Sequence, residues 1–278
     1  MTKLVDLDLG VLAFRGPDAA KFLQGQLSAD TEKLVPGASV RAGLHNPQGR
    51  VIALLTLART SSEEILATVP RELVTGVTAL LRKYVFRSKV RIESAELRAI
   101  GAPAGADPRG SRAFGWGDRQ LLLASVGLDL DTSPDAAAWQ LADVRQGFPE
   151  VYAATSETFV AQMLNLDLLG AIAFDKGCYT GQEVIARAHY RGKVKRRLQR
   201  WLNTGRVALA PGDAARGPDG RALTVVRVAV GPEGQEVLAV GTFAAATEPA
   251  PPEAASPVHP ENAATLSGPL ALPYSLPE

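Results

Sequence analysis

Beyond Gly192 the chain is cut into short apolar runs by the turns PGD, GPDG and GPEG, a punctuation that suits short antiparallel strands. It predicts a small C-terminal β-barrel or sandwich over residues 196–278. Ahead of it the pattern changes. The strand-like segments LDLGVLAFR, VIALLTLAR, SSEEILATV and KVRIESAELRAIG alternate with three helical ones: GPDAAKFLQGQL, PRELVTGVTALLRKYVF and SPDAAAWQLADVRQG. In the second helix Leu73, Val77, Leu80 and Leu81 share a face and form a candidate core. The third has Ser133 as candidate N-cap, Pro134 at its first position and Gly147 past its end. Residues 1–195 therefore read as an α+β region of two modules, helices packed on antiparallel sheet. GAPAGADPRGS, residues 101–111, reads as an exposed loop, and the Pro/Ala-rich stretch 247–262 as a second one within the C-terminal barrel. The closing PLALPYSLPE is the expected last strand.

With 278 residues, 46% of them hydrophobic, the chain has ample material for a core. Thirty basic residues stand against 29 acidic ones, so no overall field draws it to nucleic acid or an anionic membrane. One cysteine precludes an internal disulfide. No apolar run approaches the roughly 20 residues that cross a bilayer. The opening MTKLVDLDLGVLAFRG lacks the apolar core of a signal peptide. The expectation is a cytoplasmic, monomeric protein without membrane contact. His45, His189 and His259 are widely spaced and, with one cysteine, make no recognisable metal-ligand set, so no metal site is expected.

That cysteine lies in DKGCYTGQEVIARAHYRGK, residues 175–193. Thr180 and Glu183 match a capping box, which predicts a helix running to Gly192. Cys178 would then sit just outside a helix N-terminus with Lys176 nearby. Both favour thiolate over a thiol of pKa ~8.5. Taken alone, these residues leave two readings open, a reactive thiol and a small buried hydrophobe.

The wording KGCYTGQE resembles the signature of the YgfZ family, folate-binding relatives of the glycine-cleavage T-protein, an aminomethyltransferase. AAKFLQGQLSAD, HNPQGRV, LRKYVFRSKVRI, FVAQMLNLDLLGAIAF, GKVKRRL and PLALPYSLPE are similar, in order, to further family segments, so the resemblance spans nearly the whole chain. It implies a GcvT-like folate-binding fold: three small modules around a central opening that takes tetrahydrofolate or a derivative. It also implies a part in the synthesis or repair of iron–sulfur enzymes, including those that methylthiolate tRNA, with such enzymes as clients. Cys178 would be the reactive centre, assisted by Lys176. Tyr179, Gln182, Glu183 and Arg187 would shape its surroundings and, with Trp139 and Asn165 lining the folate side, bind the folate. Gln146 stands where the aminomethyltransferases carry a carboxylate, and GRVIALLTL lacks the acidic residues of their reaction centre. Leu9 stands where some relatives have tryptophan. A folate-dependent aminomethyl or one-carbon transferase is the alternative. The run Arg187, Arg191, Lys193, Lys195, Arg196, Arg197 and Arg200 reads as a solvated strand face. Its functional alternatives are a landing place for the folate glutamate tail or for an RNA or protein partner, direct tRNA binding among them.

Overall fold

Three sheets organise the computed structural model, which describes residues 3–192, 194–242 and 263–277. In chain order the first ten strands are β1 (Leu4–Asp6), β2 (Leu9–Arg15), β3 (Ser39–His45), β4 (Val51–Arg59), β5 (Glu64–Pro70), β6 (Arg91–Ser94), β7 (Leu97–Pro103), β8 (Ser111–Trp116), β9 (Arg119–Ser125) and β10 (Thr132–Ser133). The C-terminal set is β11 (Arg196–Asn203), β12 (Ala214–Arg216), β13 (Ala222–Gly231), β14 (Gly234–Thr242), β15 (Ala264–Thr265) and β16 (Ser267–Leu270). Four α-helices accompany them: α1 (Ala19–Gln24), α2 (Val74–Arg82), α3 (Ala137–Arg145) and α4 (Gln182–Tyr190).

The first sheet has the order β3-β4-β5-β2-β6, the second β10-β1-β7-β9-β8, and the third β15-β12-β13-β14-β11-β16. β1 precedes the first sheet in sequence yet belongs to the second, between β7 and β10. The β1–β10 and β12–β15 pairs are parallel and the long ladders antiparallel.

Strands of the first sheet read as apolar runs because both faces are covered. On β2, Leu12 and Phe14 pack with Phe22, Leu23, Val77 and Leu81 beneath α1 and α2. The alternate residues Val11 and Ala13 pack with Ala99, Leu121, Leu123 and Trp139 of the second sheet and α3. Leu73 and Leu80 join the first of these cores, as the helical periodicity predicts. A third core joins Val51 and Leu54 of β4 to Val144, Phe159, Ile185, Leu198 and Val226. Each fully buried side chain of this size stabilises by about 1.5–3 kcal/mol. The segment between α3 and α4 is therefore held to the first and third sheets together.

Several local expectations are corrected. KVRIESAELRAIG is not one strand: it divides between β6 and β7, which lie in different sheets. The loop expected at 101–111 is shorter, because β7 runs through Pro103 and β8 begins at Ser111. Ser133 does not cap α3 but ends β10, and its hydroxyl accepts from Asp135 N at 3.1 Å. Asp135 Oδ1 in turn accepts from Ala137 N at 2.9 Å, so the carboxylate satisfies the donor near the helix start. The last strand ends at Leu270; beyond it Tyr274 donates its hydroxyl to Gly147 O at 3.0 Å. The Pro/Ala-rich stretch 247–262 lies outside the described residues, as do Lys193 and His259. No helix among the described residues is long and apolar enough to cross a membrane.

Candidate functional site

The cysteine segment is pinned on both sides of Cys178. On one side Lys176 Nζ donates to Leu27 O at 2.6 Å and Ala29 O at 2.7 Å, carbonyls that follow α1. The same ammonium lies 5.0 Å from the centroid of the Tyr179 ring. Burial pulls the Lys176 pKa down to about 8, against a smaller opposing pull from Asp30 and Glu32. On the other side the Tyr179 ring is buried, and desolvation pushes its hydroxyl up to about 12. Between these anchors Gly177 and Cys178 are exposed, and the thiol is free.

The helix after this loop starts differently from the sequence expectation. Thr180 and Glu183 form no capping box. α4 begins at Gln182, with Gly181 at the cap position in a left-handed conformation of φ 82° and no side-chain cap. Gln182 Oε1 reaches back to accept from Tyr179 N at 3.2 Å. Glu183 pairs with Arg187 one turn on, at 2.9 Å and in solvent. The reason for glycine at 181 is close approach: a Cβ there would lie 2.6 Å from Asn46 O and 3.0 Å from His45 Cβ. The turn HNPQGR thus forms the seat of the cysteine helix. Gly49 of that turn is likewise packed on Val184.

His45 lies beneath this seat, 2% exposed, its ring centroid 6.1 Å from that of Tyr179. Neither ring nitrogen makes a hydrogen bond of regular geometry, and burial pulls the imidazole down to about 3, against a weaker opposing contact with the Gly43 backbone. It is a neutral ring at physiological pH. Only glycine fits at 43, where a Cβ would lie 2.4 Å from His45 Cε1.

Trp139 and Asn165 do not join the cysteine segment. Trp139 is 2% exposed, packed on Gly101 and under the Arg119 guanidinium, 4.1 Å from its ring centroid. It joins the core between α3 and the first and second sheets. Asn165 is likewise fully buried, and its Nδ2 donates to Leu198 O at 2.9 Å and Tyr274 Oη at 3.3 Å. It ties a left-handed turn to β11. The basic run is corrected as well. Arg197 turns inward to a two-pronged pair with Asp167 at 2.7 and 3.0 Å, and Arg200 reaches Glu236 at 3.8 Å. That leaves Arg187 and Arg191 exposed.

The residues that do shape a cavity escaped sequence reading. A cleft of about 250 Å³ is bounded by β3 and β4 of the first sheet, β8 of the second, and residues 148 and 169–170. Arg41 lies between two rings there, 4.2 Å from the centroid of Trp116 and 3.6 Å from that of Phe148. Behind the cleft Asp143, wholly buried, accepts from Trp116 Nε1 at 2.8 Å, Arg119 Nη2 at 2.6 Å and Arg227 Nη2 at 2.6 Å. Arg227 interrupts the apolar strand VVRVAV, a signal that a buried carboxylate awaits it. Gln146 borders the same region, donating to Asp118 Oδ1 at 2.7 Å beside Gly117.

This arrangement of sheets is shared with aminomethyltransferase T of the glycine cleavage system from Bartonella henselae. The TM-score is 0.66 over 87% of this chain and 79% of that one, at 15% identity. The chain therefore has the GcvT-like fold of the aminomethyltransferases. No family model matches it. It is 31% identical over 241 residues to the "tRNA-modifying protein YgfZ" of Serratia proteamaculans, covering 74% of this chain and 72% of that protein. The Escherichia coli O157:H7 protein of the same name is 32% identical over 243 residues, at 75% and 73% coverage. An uncharacterized Haemophilus influenzae protein is 33% identical over 192 residues, at 68% and 69%. The chain belongs to the YgfZ family.

Proposed function

We propose that this protein binds a tetrahydrofolate and supports tRNA modification by sustaining the iron–sulfur enzymes that carry it out, through Cys178. The observation that carries the reading is the presentation of the thiol. Cys178 is exposed on a glycine-flanked loop whose two sides are fixed by Lys176 and Tyr179. A structural cysteine is more often buried. Relatives named as tRNA-modifying support the pathway class, and the resemblance of KGCYTGQE to a folate-binding family supports the folate. The cleft between Trp116, Phe148 and Arg41 suits one end of such a ligand: aromatic walls for a flat group and a cation for an acid. At about 250 Å³ it holds part of a folate, below the usual size of a whole drug-sized site. Lys176 acts in this reading as an anchor of the loop. Glu183 and Arg187 form its solvent rim. The clients are iron–sulfur enzymes, met in the cytoplasm by a monomer.

The competing reading, folate-dependent aminomethyl transfer, has less support, because β4, VIALLTLAR, carries no carboxylate. A combined experiment tests the proposal. Titration calorimetry should show tetrahydrofolate binding to both the parent protein and Cys178→Ser. In cells lacking their own family member, the parent should restore iron–sulfur-dependent tRNA methylthiolation and Cys178→Ser should not. Full complementation by Cys178→Ser would end the reactive-centre reading; absence of tetrahydrofolate binding would end the folate one.

A further inference from the structure

The buried guanidiniums of Arg119, Arg197 and Arg227 each meet a carboxylate: Asp143, Asp167 and Asp143 again, at 2.6, 2.7 and 2.6 Å. Arg41 differs. It projects from β3 opposite Thr56 of β4, and its guanidinium is held between Trp116 and Phe148. Among the described residues it makes no hydrogen bond or ion pair, although it lines the cleft. Two ring faces fix the plane of the fork and leave its N–H edges for a ligand.

The acids around it form no pair with Arg41. Asp143 already receives Trp116, Arg119 and Arg227. Glu150 is the other nearby acid; its Oε1 accepts from Val151 N at 3.0 Å, and burial pushes its carboxyl up to about 7. Desolvation pulls Arg41 itself down to about 10, the sign of a cation lacking a compensating partner. Arg119 also draws on the exposed Asp118 at 3.3 Å, but Arg41 is left with only the field of Asp143, which Arg119 and Arg227 already occupy, and of a Glu150 half-neutral near pH 7. An anion entering the cleft would meet a desolvated, preoriented donor fork.

We propose that Arg41 is the carboxylate-binding residue of this cleft and holds the glutamate end of a folate-type ligand. This rests on the folate reading above and assigns the orientation within it, with the tail acid toward β3. Gly115 and Gly117 on the facing wall carry no side chain to block that approach.

The test is a set of equilibrium titrations on the parent, Arg41→Gln and Arg41→Lys, each checked first for an unchanged circular dichroism spectrum. The three probes are tetrahydrofolate, p-aminobenzoylglutamate, and a tetrahydropterin lacking the aminobenzoylglutamate tail. Arg41→Gln should weaken both tail-bearing probes by about tenfold or more and leave the tetrahydropterin unchanged. Arg41→Lys should keep part of the affinity, since charge remains without the fork. Equal weakening of the tetrahydropterin, or no weakening of any probe, would overturn the assignment. If the parent binds p-aminobenzoylglutamate through Arg41 but gains nothing from a pterin ring, the carboxylate site stands and the folate reading falls. If the parent binds none of the three, both fall.

Discussion

His45 shows how one residue can record its surroundings in a measurable way. Its imidazole is held down to about 3 by burial, against an ordinary value of 6.5. Between those values the unfolded chain binds a proton that the folded chain refuses. Stability therefore rises with pH through this window and is lost as pH falls below about 6.5. From pH 7 to pH 5 the loss is about 2 kcal/mol. Glu150 acts oppositely over part of the same range, because its carboxyl is raised to about 7 and the folded chain holds the proton more tightly. Comparison with His45→Gln separates the two, since Glu150 is common to both proteins. Urea unfolding at pH 7 and pH 5 should show the variant losing about 2 kcal/mol less than the parent, whatever the substitution costs at pH 7. Equal losses would place a proton acceptor or water at the imidazole. At this scale legibility was uneven. Cys178, Lys176 and Tyr179 were visible because the motif is contiguous, whereas Arg41, Trp116 and Phe148 meet only through tertiary packing. Trp139 could not be placed from sequence, because an aromatic residue in a helix gives the same signal whether it faces a ligand or the core.

Among the elements, α4 depends on a neighbouring turn. Its first turn lacks a side-chain cap, and Gly181 instead seats the backbone on the Asn46–Gly49 turn. Gly181→Ala introduces a Cβ at 2.6 Å from Asn46 O on a residue with φ 82°. The substitution should cost about 1–3 kcal/mol. Hydrogen exchange should accelerate across residues 179–190, with much smaller change in β13 and β14. Unchanged protection in α4 would show that Ile185 and Gln162, whose Nε2 donates to Ile185 O at 2.7 Å, hold the helix without the seat. The sequence placed this helix within two residues and mistook the device that starts it. TGQE satisfies the capping-box pattern, but the left-handed glycine moves the start past Thr180. β3 was missed because SVRAGLH alternates poorly, its Arg41 being turned toward the cleft.

Across the whole molecule, Asp143 links α3 to β8 and β9 of the second sheet and, through Arg227, to β13 of the third. Asp143→Asn would leave Arg119 and Arg227 buried with half-neutralised surroundings, a loss of about 3–5 kcal/mol. Urea unfolding should show that loss, with fluorescence from Trp116 among the signals that shift. A loss below about 1 kcal/mol would mean that Glu150 takes over the pairing. The architecture itself was legible at coarse grain, from turn-cut strands at the end and alternation before them, but sheet membership was not. β1 is the clearest case, since nothing in LVD reveals that it joins β7 and β10 rather than the neighbouring β2. That pairing has a consequence for biosynthesis. Leu4–Asp6 leave the ribosome ahead of both their partners and stay unpaired until β7 follows, while the β10 edge must wait for Ser133. The first sheet, whose strands all lie within residues 9–94, can close during that interval. A nascent chain halted between β6 and β7 would therefore carry a formed first sheet with its leading strand still loose, and the parallel β1–β10 seam would be the last part of the second sheet to shut.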